Sequence, residues 1–295
     1  MSWLQLKIET QKADATRYQD LLELVGAAAV LMEDSGDQPL LEPPPGAQPL
    51  WDATRVIGLF VVDSEMDAVV EFMENHLGHA LPPHKIDVLE DKDWERAWMD
   101  NYHPMCFGER LWVVPSWTPA PNPNAINLLL DPGLAFGTGT HQTTALCLEW
   151  LDGLDLQDAI VVDYGCGSGI LAVAALLLGA REAWCVDLDP QALLATRDNA
   201  ERNGVSDRVK VFMPEDMPAI KADVVVANIL AGPLAQLAST LTGFLKPTGQ
   251  LALSGIITSQ VDELVSAYSP WLALDTLAIK DEDWCRLSGQ MPSAC

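Results

Sequence analysis

A glycine-rich turn follows the apolar run "AIVV" and is the first feature of this chain that could do chemistry. The segment "DYGCGSG" places Asp163 at the end of that run, with Gly165, Gly167 and Gly169 after it. Such a turn between a strand and a helix lets a ligand lie against bare backbone, although a tight turn without a ligand gives the same pattern. The spacing is GxGxG, whereas dinucleotide-binding proteins have GxGxxG, so a pyrophosphate ligand is disfavoured.

A second acidic residue ends the next apolar run, "AWCV". Asp187 lies 22 residues beyond Gly165. An acid at the end of a second strand can accept two hydrogen bonds from ribose hydroxyls. A helix cap is the alternative, and it fits Asp189, which precedes Pro190, better than it fits Asp187. Asp187 therefore predicts a nucleoside ligand without saying which one.

An asparagine follows the apolar run "VVVA" and is out of pattern there. Asn228 falls where the predicted strand leaves the sheet, at the carboxyl edge on which open α/β sheets bind ligands. Its side-chain carbonyl could accept a hydrogen bond from an amine and aim the nitrogen lone pair. A turn-forming role is the alternative.

The segment "DPGLAFGTGTHQTT" crowds glycine and threonine ahead of an apolar, helix-patterned run. This composition indicates backbone brought close to a ligand, or a mobile loop. His141 could be a general base, but a lone histidine after a threonine is more often a capping or packing residue.

Alternating strands and helices from Ala159 onward would bring these segments together. The strands are apolar throughout, which predicts a parallel sheet covered on both faces. Two further strands in the tail leave no room for a crossover helix, so this pair is predicted to be antiparallel. Residues 106–295 are therefore predicted to form an α/β domain.

The first third of the chain has a different pattern. Residues 1–89 show a βαββαβ succession, the split βαβ or ferredoxin-like pattern, and predict a small α+β domain. Residues 90–105 are charged and carry Trp94 and Trp98 at i, i+4, which predicts a short connecting helix whose tryptophans pack on a neighbouring domain. The N-terminal domain has no obvious catalytic constellation, so holding the substrate is its predicted task.

Charge restricts the partners of the protein. The net charge is −25, from 42 acidic and 17 basic residues. Such an excess repels nucleic acid and anionic membranes and attracts a basic partner, and it would also serve solubility alone.

Cysteine usage and the apolar runs indicate the compartment. The six cysteines include no CxxC pair, which argues against a zinc site and fits a reducing cytosol. The N-terminus lacks a signal-peptide pattern, and the longest apolar run, Ile170 to Leu178, is too short to cross a bilayer. The sequence therefore predicts a soluble cytoplasmic protein without a metal.

These motifs together resemble a known family. Asp163 with its glycine turn, Asp187 and Asn228 look like a class I S-adenosylmethionine-dependent methyltransferase. The segments "DPGLAFGTGTHQTT", "DYGCGSG" and "NILAGPL" resemble the PrmA family over nearly the whole chain. This implies a Rossmann-like, seven-stranded domain with an antiparallel last strand, preceded by a ferredoxin-like domain. It also implies methyl transfer to amino groups, on lysine side chains and the N-terminal amine, of the large-subunit ribosomal protein numbered eleven.

The resemblance implies S-adenosyl-L-methionine as the cofactor and assigns residues to it. In the family, the "FGTGTHQTT" segment arches over the methionine part of the cofactor, and Asn228 matches an asparagine beside the methyl group. Asn228 is therefore the expected catalytic residue. The expected cofactor site consists of the lid residues Phe136 and Thr138, the contact residue Thr144, the turn residues Asp163, Gly165 and Gly167, the ribose ligand Asp187, and Asn228.

Three other functions remain open from the sequence. Net acidity argues against a methyltransferase that acts on RNA, and a protein-sized extra domain argues against one that acts on a small metabolite. The GxGxG spacing argues against a nucleotide-dependent oxidoreductase. A non-catalytic binding module that kept the pocket is the third alternative, although no motif looks degraded.

Overall fold

The computed structural model describes residues 3–38, 49–89, 102–131, 139–275, 277–281 and 283–292. The chain divides into two compact units, Met1–Asn101 and Tyr102–Cys295. Most of the predicted connecting helix, with Trp94 and Trp98, lies outside the described residues. Its predicted end at Met105 is wrong, because Met105 begins a strand. Pro104 explains the difference, since proline disfavours helical backbone in the residue before it.

The N-terminal unit has the element order βαββαβ in its described part. Its sheet order is β2-β3-β1-β4, and each neighbouring pair is antiparallel, as in a split βαβ arrangement. One sheet face packs on both helices around buried Leu6, Ile8, Leu22, Phe60 and Met73. The elements are β1 (Trp3–Gln11), α1 (Lys12–Leu24), β2 (Ala29–Asp34), β3 (Ala53–Val61), α2 (Met66–Leu77) and β4 (His84–Leu89).

The second unit begins with a three-stranded sheet. Strand β5 (Met105–Phe107) is antiparallel to β6 (Leu111–Val114), and β6 is parallel to β7 (Ile126–Leu129). Strand β5 has only three residues, which are too few to show a hydrophobic period in the sequence.

A large α/β sheet with flanking helices makes up the rest of the second unit. None of the helices among the described residues of the chain is long and apolar enough to cross a membrane. The elements are α3 (Gln142–Asp152), β8 (Ile160–Tyr164), α4 (Ile170–Leu177), β9 (Glu182–Val186), α5 (Pro190–Arg202), β10 (Val209–Phe212), β11 (Ala222–Asn228), α6 (Ala231–Gln236), α7 (Ala238–Gly243), β12 (Leu245–Ile257), α8 (Val261–Tyr268), β13 (Ala273–Leu274), β14 (Ala278–Lys280) and β15 (Trp284–Gln290).

The order of this sheet is β10-β9-β8-β11-β12-β15-β13, and β14 also pairs with β15. Strands β8 to β12 are mutually parallel where they pair, and β15 is antiparallel to β12, as predicted for the last strand. Among the described residues the sheet has eight strands, where seven were predicted. Both β13 and β14 pair with β15, each along a different part of it. Between them, the Asp275 carboxylate accepts a hydrogen bond from Oγ of Ser288 at 2.9 Å.

Successive residues of the central strands face opposite sides of the sheet. Val161 and Val226 belong to a core with α3, α4 and α5, whereas Val162 and Val225 belong to a core with α6, α7 and α8. Both faces are therefore covered, which explains why the strands are apolar at every residue rather than at alternate residues.

Two partly buried polar side chains attach the three-stranded sheet to the helices. The Asp152 carboxylate, at the end of α3, accepts from the backbone N–H of Glu109 at 2.7 Å. The Asn203 amide, just after α5, accepts from the N–H of Leu129 at 2.8 Å and donates to the C=O of Leu129 at 2.8 Å. Asn203 thus takes the place of a peptide unit beside β7 and fixes the chain ahead of the "FGTGTHQTT" segment.

Asn203→Ala is expected to lower the free energy of unfolding by about 1–3 kcal/mol, since both polar groups of Leu129 lose their partner. Urea denaturation measures this loss. The control is Asn124→Ala, because Asn124 is exposed. Equal losses in the two variants would contradict the anchoring role of Asn203.

Candidate active site

Three of the predicted site residues, Asp163, Asp187 and Asn228, come together at one edge of the large sheet. Strand β8 lies between β9 and β11, and Asp163 is in register with Cys185 of β9 and Val226 of β11. Because the three strands are parallel, Asp163, Asp187 and Asn228 all lie at their carboxyl ends. Open α/β sheets bind ligands at this edge.

The glycine turn connects β8 to α4 and depends on Gly165. The backbone of Gly165 has φ 77°, a left-handed conformation that glycine adopts without strain. Its N–H donates to the C=O of Val186 at 2.7 Å, which attaches the turn to the end of β9. A Cβ atom at this residue would lie 2.1 Å from Cγ2 of Ile229. Only glycine fits, and the backbone of the turn stays bare.

Gly165→Ala is expected to lower the free energy of unfolding by about 1–3 kcal/mol through backbone strain and the clash with Ile229. Binding of the cofactor that the family resemblance implies should weaken as well, because Ile229 follows Asn228. Chemical denaturation and a titration with S-adenosylhomocysteine measure the two effects. Gly78 is the matched control, since it also has φ 77° but nothing lies within 4 Å of an added Cβ. If Gly78→Ala costs as much, the contact with Ile229 has no role.

Two backbone hydrogen bonds hold the Asp187 carboxylate in place. Oδ2 accepts from the N–H of Gly167 at 2.8 Å, and Oδ1 accepts from the N–H of Asp189 at 3.0 Å. Each oxygen keeps a further lone pair, so the oriented carboxylate can still accept from hydroxyl groups. Asp189 caps α5 by accepting from the N–H of Gln191 at 2.8 Å, which confirms the capping role predicted for Asp189.

Asp163 is fully buried beneath the turn. Oδ2 accepts from the N–H of Ala172, in the first turn of α4, at 3.1 Å, and Oδ1 has no hydrogen-bond partner among the described residues. Burial raises the pKa of Asp163 to about 7; the bond from Ala172 opposes this shift, and the nearby charge of Asp187 adds to it. A nearby cation would stabilise the ionised form of such a buried carboxyl group and lower its pKa.

Asn228 closes β11 and contacts the first turn of α3. Its Nδ2 donates to Oγ1 of Thr144 at 3.1 Å. Its Oδ1 is buried and has no hydrogen-bond partner in the described part of the chain. The amide therefore presents an acceptor that is shielded from water and uncommitted.

His141 is the N-cap residue of α3, as the favoured interpretation predicted. Its Nδ1 accepts from the N–H of Thr143 at 3.3 Å. Its ring packs edge-on against the Trp284 ring, with the ring centroids 4.7 Å apart. Burial lowers the pKa of His141. The expected lid residues, Phe136 and Thr138, lie outside the described residues.

Gly255 is a residue of this site that the sequence interpretation missed. It lies in β12 at a shift in the register with β15, and an added Cβ would lie 2.4 Å from the C=O of Ile229. Gly255 thus lets β12 approach the backbone just after Asn228. A glycine inside the apolar run "LALSGII" was the available signal, since glycine within a strand indicates a bulge or a close backbone approach.

Three comparisons relate the chain to known proteins. The family model described as "Ribosomal protein L11 methyltransferase (PrmA)" matches residues 2–292. Ribosomal protein L11 methyltransferases from Enterobacter sp. (strain 638) and Escherichia coli O8 (strain IAI1) are each 55% identical over 293 residues, covering 98% of this chain and 99% of theirs. The crystal structure of ribosomal protein L11 methylase from Lactobacillus delbrueckii subsp. bulgaricus has a TM-score of 0.58 and 30% identity, covering 64% of this chain and 98% of that one.

The family match spans both units, and the relatives match this chain almost from end to end. The chain belongs to the ribosomal protein L11 methyltransferase (PrmA) family.

Proposed function

We propose that this protein transfers methyl groups from S-adenosyl-L-methionine to amino groups of ribosomal protein L11, on lysine side chains and the N-terminal amine. Membership of the PrmA family supports the substrate. The observation that carries the chemistry is the buried Oδ1 of Asn228 at the carboxyl edge of the sheet, which has no hydrogen-bond partner in the part of the chain that the structure describes. An acceptor in that place can bind an N–H of an amine.

The residues at the sheet edge fit a cationic nucleoside as cofactor. The Asp187 carboxylate would accept from the ribose hydroxyls, and the turn at Gly165 and Gly167 would let the cofactor approach the backbone. Oδ1 of Asp163, which has no partner among the residues that the structure describes, matches a ligand that carries positive charge. S-adenosyl-L-methionine supplies an activated methyl group on a sulfonium, so the protein needs no nucleophile of its own.

The task of the protein is to present a neutral amine in line with the methyl group. A lysine amine has a pKa of about 10.4 in water, so it arrives mostly protonated. Burial and a nearby cation both disfavour a second positive charge and lower this pKa, so the proton can leave to water. Oδ1 of Asn228 could then accept an N–H of the neutral amine and orient the nitrogen lone pair toward a bound methyl donor. An amide suits this step because, unlike a carboxylate, it does not stabilise the ammonium.

We further propose that the N-terminal unit, residues 1–101, binds the substrate and presents it to the methyltransferase unit, residues 102–295. The charges support this division. Residues 1–101 carry 20 of the 42 acidic residues but only 7 of the 17 basic ones. A basic protein would be attracted to such a unit.

The rate at which L11 associates with the enzyme is expected to fall about tenfold or more as the salt concentration rises from low to about 0.5 M. Stopped-flow fluorescence measures this rate. Neutralising Asp67 and Glu71 on α2 should slow association more than neutralising Asp262 and Glu263 on α8, although all four are exposed. A rate independent of salt would contradict electrostatic docking.

We also propose a cytoplasmic location. Cysteines 106, 147, 166, 185 and 285 are all free thiols, which suits a reducing compartment. The ribosome, where the proposed substrate resides, lies in the same compartment.

Incubation with labelled S-adenosyl-L-methionine, purified ribosomal proteins and ribosomal RNA tests the proposed function. Mass spectrometry should find added methyl groups on L11, at lysine side chains and the N-terminal amine. Label in RNA would favour an RNA methyltransferase instead. Thermal stabilisation by the cofactor without transfer to any protein would favour a binding module.

A further inference from the structure

A buried hydrogen bond joins two segments of the site that are 84 residues apart in the sequence. Asn228 ends β11, and Thr144 is the third residue of α3. Thr144 is only 1% exposed, and its Oγ1 accepts from Nδ2 of Asn228 at 3.1 Å. The hydroxyl therefore fixes one end of the Asn228 amide inside the protein.

A hydroxyl can either accept from an amide N–H or donate to an amide oxygen, and in this structure the hydroxyl of Thr144 accepts from the N–H of Asn228. With Nδ2 directed at Thr144, Oδ1 points away from it, and it has no partner among the described residues. The terminal torsion of asparagine is broad and roughly two-fold, so an unanchored amide turns easily. A reversed amide would offer its N–H to the substrate amine and occupy the lone pair that must attack the methyl group.

Helix α3, which carries Thr144, is held in place by contacts with two strands of the sheet. Nη1 of Arg286 in β15 donates to the C=O of Leu146 at 2.8 Å. Nζ of Lys280 in β14 lies 2.5 Å from the Glu149 carboxylate. The helix is thus attached to two strands of the sheet whose edge carries Asn228, and the hydroxyl of Thr144 keeps a defined place relative to that edge.

We propose that Thr144 is a positioning residue for methyl transfer, whose hydroxyl holds the Asn228 amide with its oxygen toward the substrate amine. This role rests on the function proposed for Asn228. It goes beyond the cofactor contact that the family resemblance implies for Thr144, because it acts on the orientation of the acceptor rather than on affinity for the cofactor.

Thr144→Val removes the hydroxyl and keeps the shape of the side chain. We expect kcat for L11 methylation to fall about tenfold, a typical effect of one hydrogen bond. The Kd for S-adenosylhomocysteine should change less than about twofold. Thr144→Ser keeps the hydroxyl and should restore most of kcat. Thr144→Ala tests the same loss in a smaller side chain if valine perturbs packing.

Thr242→Val is the matched control. Thr242 is also a buried helical threonine, and its hydroxyl donates to the C=O of Ala238 at 2.7 Å within α7. This variant should lose stability without a change in kcat. A loss of kcat in Thr242→Val equal to that in Thr144→Val would show a general effect of the substitution and overturn the proposal.

The double variant Thr144→Val/Asn228→Ala shows whether Thr144 acts through Asn228. We expect its kcat to equal that of Asn228→Ala alone, because without the amide the hydroxyl has nothing to position. Multiplicative losses would overturn the proposal, as would a Thr144→Val effect confined to cofactor affinity. Full turnover in Asn228→Ala would refute the catalytic role of Asn228, and the positioning role with it. Impaired Asn228→Ala beside unimpaired Thr144→Val would refute only the positioning role.

Discussion

Asn228→Ala is expected to lower kcat for L11 methylation about a hundredfold while the Kd for S-adenosylhomocysteine stays within about threefold. The reason is orientation. Without the amide oxygen, nothing in the described site aims the amine at the methyl carbon, and a small misalignment of reacting atoms costs about this much in rate. Single-turnover kinetics with L11 and isothermal titration with the product cofactor measure the two constants.

Asn228→Asp separates orientation from charge. Aspartate has the same shape but is anionic, so it should stabilise the protonated amine and raise its pKa. The rate should fall at neutral pH and recover at higher pH, so the pH–rate profile shifts to higher pH than that of the native enzyme. If Asn228→Asp is as active as the native enzyme at pH 7, the amide is not needed to favour the neutral amine.

Asp163→Asn is expected to stabilise the ligand-free protein and to weaken binding of S-adenosyl-L-methionine. Asparagine can keep the bond from the N–H of Ala172 but carries no buried charge. The pKa of Asp163 is raised by burial from 3.8 to about 7 in the folded state. The stabilising effect of the protonated group is complete below the unfolded-state pKa and is lost as the pH rises through about 7.

The native protein should therefore lose up to about 4 kcal/mol of stability between roughly pH 4 and pH 8 through this one group. Asp163→Asn should abolish that dependence, so its advantage in unfolding free energy is largest at pH 8 and shrinks toward pH 4. Urea denaturation at several pH values measures the difference. Asp198→Asn, a change at an exposed residue of α5, should leave the profile unaltered. Parallel pH profiles for native protein and Asp163→Asn would contradict a buried titrating Asp163.

Binding of the cationic cofactor should favour the ionised form of Asp163 and release a proton near pH 7. Calorimetry in buffers with different ionisation enthalpies detects such a proton. In Asp163→Asn the release should disappear, and the Kd for S-adenosyl-L-methionine should rise. An unchanged Kd in this variant would mean that the charge of Asp163 does not contribute to cofactor binding.

The convergence of Asp163, Asp187 and Asn228 could be predicted from the sequence for a simple reason. Each follows an apolar run, and parallel strands end at a common edge, so residues at strand ends become neighbours even when many residues separate them. Burial of both sheet faces makes the strands apolar throughout, so the first polar residue after each apolar run indicates where a strand ends.

Contacts that depend on the detailed path of the backbone could not be predicted. The bond between Asn228 and Thr144 joins a strand end to a helix turn, and no local pattern encodes it. The close approach of Gly255 to Ile229 follows from a register shift in β12. Strands β5, β13 and β14 have only two or three residues each, which are too few for hydrophobic periodicity to detect.

The amide of Asn203 beside β7 also bears on how the protein avoids self-association. In the described part of the chain, strand β7 pairs only with β6, so its other side would be an open edge able to accept a strand from another molecule. Asn203 occupies both backbone groups of Leu129 on that open side. The residue that follows α5 thereby blocks the open edge of β7 at Leu129, which disfavours intermolecular β-pairing and aggregation.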